Sequence, residues 1–403
     1  MATMAKPWAA ALFLTALVLG LAPAAPASAA SRSGGWSVQV SPNPPGAISS
    51  QLLAVACPQP AACFAVGYSY AKSAGHTLPL AERWNGTAWT LLPIPTLPKA
   101  GRTFLNGISC AAANRCIAVG FAVTTSAPFV DALAEAWNGT KWAIQATPQP
   151  GSGAASFNAV SCTAAGSCMA VGGFSAAQDA TEQPLTERWN GSGWAIVPAP
   201  NPQPDNYGSG LDAVSCTAAS ACTAVGSYFV RELADFVFAA RWNGSRWATQ
   251  RQPNPGVQKL DEDLGVACAS ASACTSVGYW TTFSASFQQP LAEAWNGGTW
   301  ARQRTPQPAG NHLLTLNGVS CASTASCIAV GNWSPVAGGG IPTYSVAERW
   351  NGTAWAVQDT PSPAGSKVTT LNGVACTSAA QCVAVGSFST ATRGVTLVER
   401  YTR

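Results

Sequence analysis

The hydrophobic residues of this chain fall in short runs that recur at a regular interval and are bounded by glycine, proline and asparagine. In one copy, residues 316–321 read LNGVSC, residues 327–331 read CIAVG and residues 346–350 read VAERW. These runs are rich in β-branched residues and too short for helices, so each predicts a β-strand. A fourth run begins at Trp355 and ends at Pro361, because proline cannot donate to a strand ladder.

Paired cysteines mark seven copies of this four-strand pattern. The members of a pair are six residues apart, successive pairs begin 52 to 55 residues apart, and the pairs use all 14 cysteines. The pairs are Cys57 and Cys63, Cys110 and Cys116, Cys162 and Cys168, Cys216 and Cys222, Cys268 and Cys274, Cys321 and Cys327, and Cys376 and Cys382. A four-stranded unit of about 50 residues is typical of a propeller blade. We therefore predict an all-β fold, a seven-bladed β-propeller of four-stranded blades.

Two tryptophans flank an Asn-Gly pair in six of the seven units. The first tryptophan is followed five residues later by the second, and the first ones are Trp84, Trp137, Trp189, Trp242, Trp295 and Trp350. Asn-Gly predicts a type I′ hairpin turn, in which both central residues have positive φ. Because repetition in every unit indicates a structural role, we interpret the tryptophans as core or inter-blade packing rather than as sugar platforms.

The seventh unit lacks its fourth strand. It ends soon after residues 397–401, LVERY, with Tyr401 in the place of the first tryptophan. At the other end of the chain, Trp36 and Pro42 have the spacing of a second tryptophan and its proline. We expect the N-terminal strand to pair with the C-terminal strands and close the ring, which leaves no open sheet edge.

The order of these signals resembles the kelch repeat, in which a strand ends in glycine, a variable loop follows, and a Glu-x-aromatic strand precedes a short turn, a tryptophan and prolines. The resemblance covers the chain after its first 30 residues and implies a kelch-like propeller that closes at its termini. It also implies two classes of function. Kelch domains mostly bind partners, and a few related propellers, such as galactose oxidase, are enzymes.

Residues 1–30 have the layout of a secretory signal peptide, with Lys6, an apolar run over residues 10–22 and small residues near Ala29. We expect residues 31–403 to form one extracellular propeller domain. The apolar run is shorter than the roughly 20 residues of a membrane span, so no span is expected. In an exported chain the cysteine pairs predict one disulfide in each unit, because two thiols make only half of a zinc site.

Charge and composition exclude several classes of partner. Charged residues make up 9% of the chain, against about 25% in an average soluble domain. Without Lys6, 20 Lys and Arg face 17 Asp and Glu, a net charge of +3. Nucleic acid would need a basic stripe, whereas the basic residues here are scattered. We expect no nucleic-acid partner, no cofactor, no metal and a monomer.

No group of residues predicts catalysis. A glutamate recurs in six units, at Glu82, Glu135, Glu187, Glu293, Glu348 and Glu399. Such repetition indicates a framework role, and neighbouring arginines such as Arg83 and Arg349 suggest local ion pairs. The alternative is a carbohydrate-active enzyme, a hydrolase or lyase that uses the loop carboxylates Asp205, Asp212, Asp261 or Asp263.

The two ends of the units differ in sequence. The loops that follow each Ala-Val-Gly or equivalent, together with the proline connections, lie at one end, which we call the variable end. Aromatic residues follow the glycines there, and as candidate ligand-binding residues we select Tyr68, Phe174, Tyr228, Tyr279, Trp280 and Trp333. Aromatic-lined concave sites are typical ligand pockets, although these residues could instead cap strand ends. The sequence favours a secreted, non-catalytic propeller that recognises an extracellular glycan or protein.

Overall fold

A computed structural model describes residues 34–72, 75–98, 100–125, 129–177, 180–202, 208–230, 234–254, 259–282, 288–307, 312–335 and 342–403. The predicted signal peptide and Asp205 lie outside these ranges. Within them the chain forms strands and turns, and no helix there could cross a membrane. Residues 34–403 make one compact unit.

The strands follow the predicted repeat. The strand before the first unit and those of the first two units are β1 (Gly35–Gln39), β2 (Ala47–Gln59), β3 (Ala62–Ala71), β4 (His76–Trp84), β5 (Trp89–Leu91), β6 (Ala100–Ala112), β7 (Arg115–Thr124), β8 (Val130–Trp137) and β9 (Trp142–Gln145). Those of the third and fourth units are β10 (Ala155–Ala164), β11 (Ser167–Ser175), β12 (Glu182–Trp189), β13 (Trp194–Ile196), β14 (Gly208–Ala218), β15 (Ala221–Val230), β16 (Ala234–Trp242) and β17 (Trp247–Gln250). Those of the last three units are β18 (Lys259–Ser270), β19 (Ala273–Thr282), β20 (Gln289–Trp295), β21 (Trp300–Arg302), β22 (His312–Ser323), β23 (Ser326–Pro335), β24 (Tyr344–Trp350), β25 (Trp355–Gln358), β26 (Val368–Ser378), β27 (Gln381–Ser389) and β28 (Gly394–Thr402).

In each of the first six units the four strands form an antiparallel sheet in sequence order, and one parallel pair, Asp235 with Leu260, joins the fourth sheet to the fifth. The seventh sheet has the order β26-β27-β28-β1, so its last strand comes from the start of the described chain. Trp36 lies opposite Tyr401, with ring centroids 5.5 Å apart. The paired tryptophans of the other units lie 5.7 to 5.9 Å apart. The N-terminal strand therefore occupies the fourth-strand position that the sequence predicts.

Neighbouring units are linked by a repeated side-chain hydrogen bond. The Asn106 amide donates to the Phe157 carbonyl oxygen of the next unit at 2.9 Å, and Asn317 donates in the same way to Leu371 at 2.8 Å. Asn372 of the seventh unit donates to Leu52 of the first at 2.8 Å. The same kind of contact thus connects consecutive units and the two terminal ones.

All seven predicted disulfides are present, with Cα atoms 3.9 to 4.1 Å apart. The predicted type I′ turns are wrong. At Asn85 and its counterparts only the glycine has positive φ, as at Gly86 (99°). The Asn85 Oδ1 instead accepts hydrogen bonds from the backbone N–H groups of Thr87 and Ala88. Trp84 pairs with Trp89, so the loop has four residues, and the asparagine side chain bonds to the backbone as in an Asx-turn.

The expected ion pairs between glutamates and arginines are also wrong. Glu82, Glu135, Glu187, Glu293, Glu348 and Glu399 are completely buried. Adjacent residues of a strand point to opposite faces of the sheet, so each arginine lies on the other face. The Arg400 guanidinium, for example, lies 5.6 Å from the Trp84 ring centroid, and Arg241 lies 5.2 Å from that of Trp295. Arg349 likewise packs on Tyr401 of the next unit, whereas Arg83 lies over Phe64 of its own unit.

Burial has a strong effect on the framework glutamates. It raises the pKa of Glu348 and Glu399 to about 8, and neither carboxyl group has a hydrogen-bond partner among the described residues. The Glu82 carboxyl group, whose pKa burial also raises to about 8, accepts a hydrogen bond from Ser41 at 2.9 Å. Near neutral pH these groups hold their protons, which avoids the cost of a buried charge.

A glycine inside the second strand of each unit is required because the paired first strand lies too close for a side chain. A Cβ on Gly331 would overlap with the Thr315 carbonyl oxygen, and the equivalent glycine of every unit meets the same obstacle. We predict that Gly331→Ala lowers the free energy of unfolding by roughly 3 kcal/mol through overpacking. Guanidinium unfolding checks this value. Gly193→Ala is the control, because nothing lies within 4 Å of its Cβ, and a similar loss in both variants would contradict the explanation.

The buried glutamates predict a stability that falls as pH rises. A carboxyl group with a pKa near 8 in the folded chain and near 4.3 in the unfolded chain favours folding at low pH, and this contribution disappears between those values. Glu348→Gln should therefore flatten the dependence of unfolding free energy on pH by up to about 1.4 kcal/mol per pH unit. Guanidinium titrations from pH 5 to 8 measure it. The exposed Asp359→Asn serves as control, and parallel curves for wild type and Glu348→Gln would refute the prediction.

Candidate functional site

Residues from three strands of the fifth unit meet at the variable end. Trp280 of β19 lies opposite Gln289 of β20, and Arg302 ends β21. Because successive strands are antiparallel, the end of β19, the start of β20 and the end of β21 reach the same end of the sheet.

These strand ends form a groove of about 650 Å³, which we call the fifth-unit groove. It is lined by Trp280, Gln289, Pro290, Arg302, Gln303, Arg304, Thr305, Pro306 and Gln307. Of these residues the sequence singled out only Trp280. The two arginines are exposed, and Trp280 is half-buried.

Arg302 is held against Trp280. Its guanidinium carbon lies 4.8 Å from the centroid of the tryptophan ring, a distance at which the cation and the ring attract each other. In the equivalent positions of five other units stand aliphatic residues, such as Leu91, Ile144 and Val357, and the fourth unit has Thr249. An alignment of the units with one another, position by position, would have revealed this arginine from sequence.

The other candidate aromatic residues pack against local partners. The Tyr68 hydroxyl donates to Gln51 at 2.7 Å, and Tyr228 stacks with Phe236 at 5.6 Å. Trp333, which occupies in the sixth unit the position of Trp280, packs on Tyr344 with ring centroids 4.9 Å apart.

Two further candidates lie in different surroundings. Phe174 contacts the hydrophobic core between the second and third units. Burial and the neighbouring Glu262 raise the pKa of Tyr279 above its ordinary value. Among the six candidates, Trp280 is the one that lines the fifth-unit groove.

Beside this groove lies an acidic cluster on the fourth and fifth units, formed by Asp212, Asp235, Asp261, Glu262 and Asp263. Burial, Glu262 and the exposed Glu182 raise the pKa of Asp212 to about 8. Burial, Glu262 and Asp261 raise that of Asp235 to about 6. In the described ranges, His, Cys, Asp and Glu form no group of three or more that could hold a metal ion.

Part of this cluster belongs to a buried polar network. Gln252 donates to Asp263 at 2.6 Å and to Ser276 at 3.3 Å. Asp263 stands where the other units have a fully buried Leu or Phe, such as Leu316, and Ser276 stands where each of them has alanine. The fifth unit thus departs from the framework at contacting core positions.

Burial decides which carboxylates a large substrate could reach. Asp261 and Asp263 have no exposed surface, so a polysaccharide cannot contact them. Asp212 is only partly buried, and Asp205 lies outside the described residues.

No family model and no curated protein matches this sequence. Solved structures do match its fold. YCF48, solved bound to D1 peptide, has a TM-score of 0.51 and 10% identity, covering 91% of this chain and 95% of its own. A protein of unknown function from Dyadobacter fermentans has a TM-score of 0.53 and 9% identity, covering 91% and 98%. An ulvan lyase of family PL25 has a TM-score of 0.52 and 8% identity, covering 89% and 95%.

Identities this low establish the fold alone. Together with the repeated four-stranded antiparallel sheets, they identify this chain as a β-propeller.

Proposed function

We propose that this protein is a secreted, non-catalytic, kelch-like propeller of seven blades that binds an extracellular glycan or protein through the variable end of its units. The observation that carries the proposal is the fifth-unit groove, where a half-buried tryptophan lies among polar side chains. An indole face beside side chains that form hydrogen bonds suits a ligand that has both C–H faces and polar groups.

A closed ring of seven blades is supported by the contacts between the first and last units. Gln39 of β1 accepts a hydrogen bond from the Trp89 indole at 3.0 Å. The same bond joins consecutive units elsewhere, from Trp300 to Gln250 at 3.0 Å. Arg400 stacks on Trp84 across the same boundary. In such a ring the outer edge of each sheet is a short strand, such as the three-residue β5, and short edges limit pairing with another chain, which is consistent with a monomer.

Export is supported by the cysteines and the leader. Seven disulfides with no free cysteine indicate an oxidising environment. The apolar segment over residues 10–22 has the length of a signal peptide core. We propose cleavage near residue 30, so that residues 31–403 form the mature domain.

One observation favours the alternative, a hydrolase or lyase acting on polysaccharide. Asp212 is partly accessible, and its pKa of about 8 suits a general acid. Glu262 and Glu182 lie near it as candidates for the second carboxylate. Release of new chain ends by the pure protein, lost in Asp212→Asn, would favour this function. If the protein only binds its ligand, neither the wild type nor Asp212→Asn should cleave polysaccharide.

We predict that Trp280→Ala weakens binding of the ligand identified on a glycan or secreted-protein array by about 2 kcal/mol, roughly thirtyfold in affinity. Calorimetric titration of the pure protein measures this change. Trp333→Ala is the matched control, since Trp333 packs on Tyr344 and should matter less. Unchanged binding in Trp280→Ala, or an equal loss in both variants, would count against this site.

A further inference from the structure

The fifth-unit groove carries a positive charge that its surroundings do not cancel. Arg302 and Arg304 are the charged residues of its lining, which contains no carboxylate. On the neighbouring strand β20, the residue directly opposite Arg302 is Glu293. It is fully buried, and burial and Asp263 raise its pKa to about 9. It is therefore protonated near neutral pH and leaves the guanidinium charge free to act on a ligand.

Two members of the acidic cluster, Asp261 and Asp263, expose no surface to the groove. Asp261 lies opposite Trp280 in the sheet, but it has no exposed surface. Asp263 is equally buried and hydrogen-bonded to Gln252. A ligand in the groove therefore meets the two exposed arginines rather than these carboxyl groups.

The stacked arrangement suits recognition of a flat anionic group. A guanidinium lying over an aromatic ring keeps its planar N–H edge available, and that edge matches the two oxygens of a carboxylate or sulfate. Because the Trp280 ring holds Arg302 in place, less side-chain freedom is lost when a ligand binds. Arg304 supplies a second cation two residues away along the chain.

The remaining lining favours a saccharide over an acidic peptide. Sugar rings present C–H faces, which pack on an indole, and hydroxyl groups, which pair with amide side chains. The groove combines Trp280 with Gln289 and Gln307. The corresponding tryptophan of the sixth unit has Tyr344 as its cross-strand neighbour, whereas Trp280 has Gln289.

On the basis of the proposed binding function, we infer that the fifth-unit groove binds an acidic polysaccharide, with Trp280 packing on a sugar ring and Arg302 and Arg304 contacting its carboxylate or sulfate groups. This assigns a ligand class to one groove and distinguishes Arg302 as the residue that determines selectivity for charge.

The test uses two pairs of saccharide probes, and the two members of a pair share a backbone but only one of them carries charged groups. Oligogalacturonate is compared with its methyl ester, and dextran sulfate with dextran, by calorimetric titration of the intact protein. We expect the acidic member of at least one pair to bind more than tenfold more tightly than the neutral one. The pair that responds tells whether carboxylate or sulfate is recognised. Equal binding of acidic and neutral members, or no binding of either acidic probe, would overturn the inference.

Substitutions of single arginines show whether the preference for the acidic probe comes from the fifth-unit groove. Arg302→Leu introduces the residue that stands at the equivalent position, Leu91, of the first unit, so the variant should fold. It should lose about tenfold in affinity for the acidic probe. Arg302→Lys, which keeps the charge without the planar fork, should recover only part of that loss. Arg251→Leu is the matched control, because Arg251 is an exposed arginine outside this groove. An equal loss in Arg251→Leu would indicate unspecific attraction and refute the inference.

The outcomes also separate this inference from the proposed function. If a neutral glycan binds and Trp280→Ala abolishes its binding while Arg302→Leu has no effect, the groove is a binding site and its ligand is not anionic. If polyglutamate binds more tightly than both acidic saccharides, the partner is an acidic protein segment, and the saccharide assignment fails while the binding function stands.

Discussion

The antiparallel pair between β1 and β28 is the contact on which the rest of the structure depends. It joins residues that are more than 350 positions apart, with Trp36 opposite Tyr401. Without β1, the last strand of the seventh sheet would be an exposed edge, and such edges invite pairing with other chains. The segment around β1 also supplies Gln39 to the Trp89 indole and Ser41 to the buried Glu82. One short strand therefore completes a sheet and satisfies polar groups of the first unit.

The repeated framework explains both the stability of the fold and where it allows variation. Every unit repeats the disulfide, the tight glycine contact and an aromatic pair, and neighbouring units repeat hydrogen bonds across their boundaries. Departures from such a framework are informative, since each unit serves as a control for the others. The fifth unit departs in its core, at Asp263 and Ser276, and at its surface, at Arg302. These changes coincide with the groove and the acidic cluster.

Much of the fold could be predicted from sequence because its signals are periodic. Strand positions, disulfide partners and the pairing of Trp36 with Tyr401 follow from spacing alone. The failures are of a different kind. The conformation of the asparagine turn depends on a side-chain hydrogen bond, which the sequence pattern does not show. The ion pairs between glutamates and arginines were predicted from adjacency in sequence, but adjacent residues of a strand point to opposite faces of the sheet.

The candidate site was predicted less well. Trp280 could be selected because it is an aromatic residue that closely follows the repeated glycine of its unit, but its partners come from other strands. Arg302 reaches the same ring from β21, and this proximity depends on the three-dimensional arrangement of the sheet. Asp263 shares its place in the repeat with a leucine or phenylalanine of the other units, and only a comparison of the units with one another would have shown that it is inaccessible.

The central claim is that the chain closes on itself through β1. Removing residues 34–42 from a protein of residues 34–403, and comparing the truncated chain with the intact one by thermal unfolding and small-angle scattering, tests it directly. The account predicts a markedly lower melting temperature together with expansion or self-association of the truncated chain. A truncated protein that stays monomeric, equally compact and equally heat-resistant would contradict it.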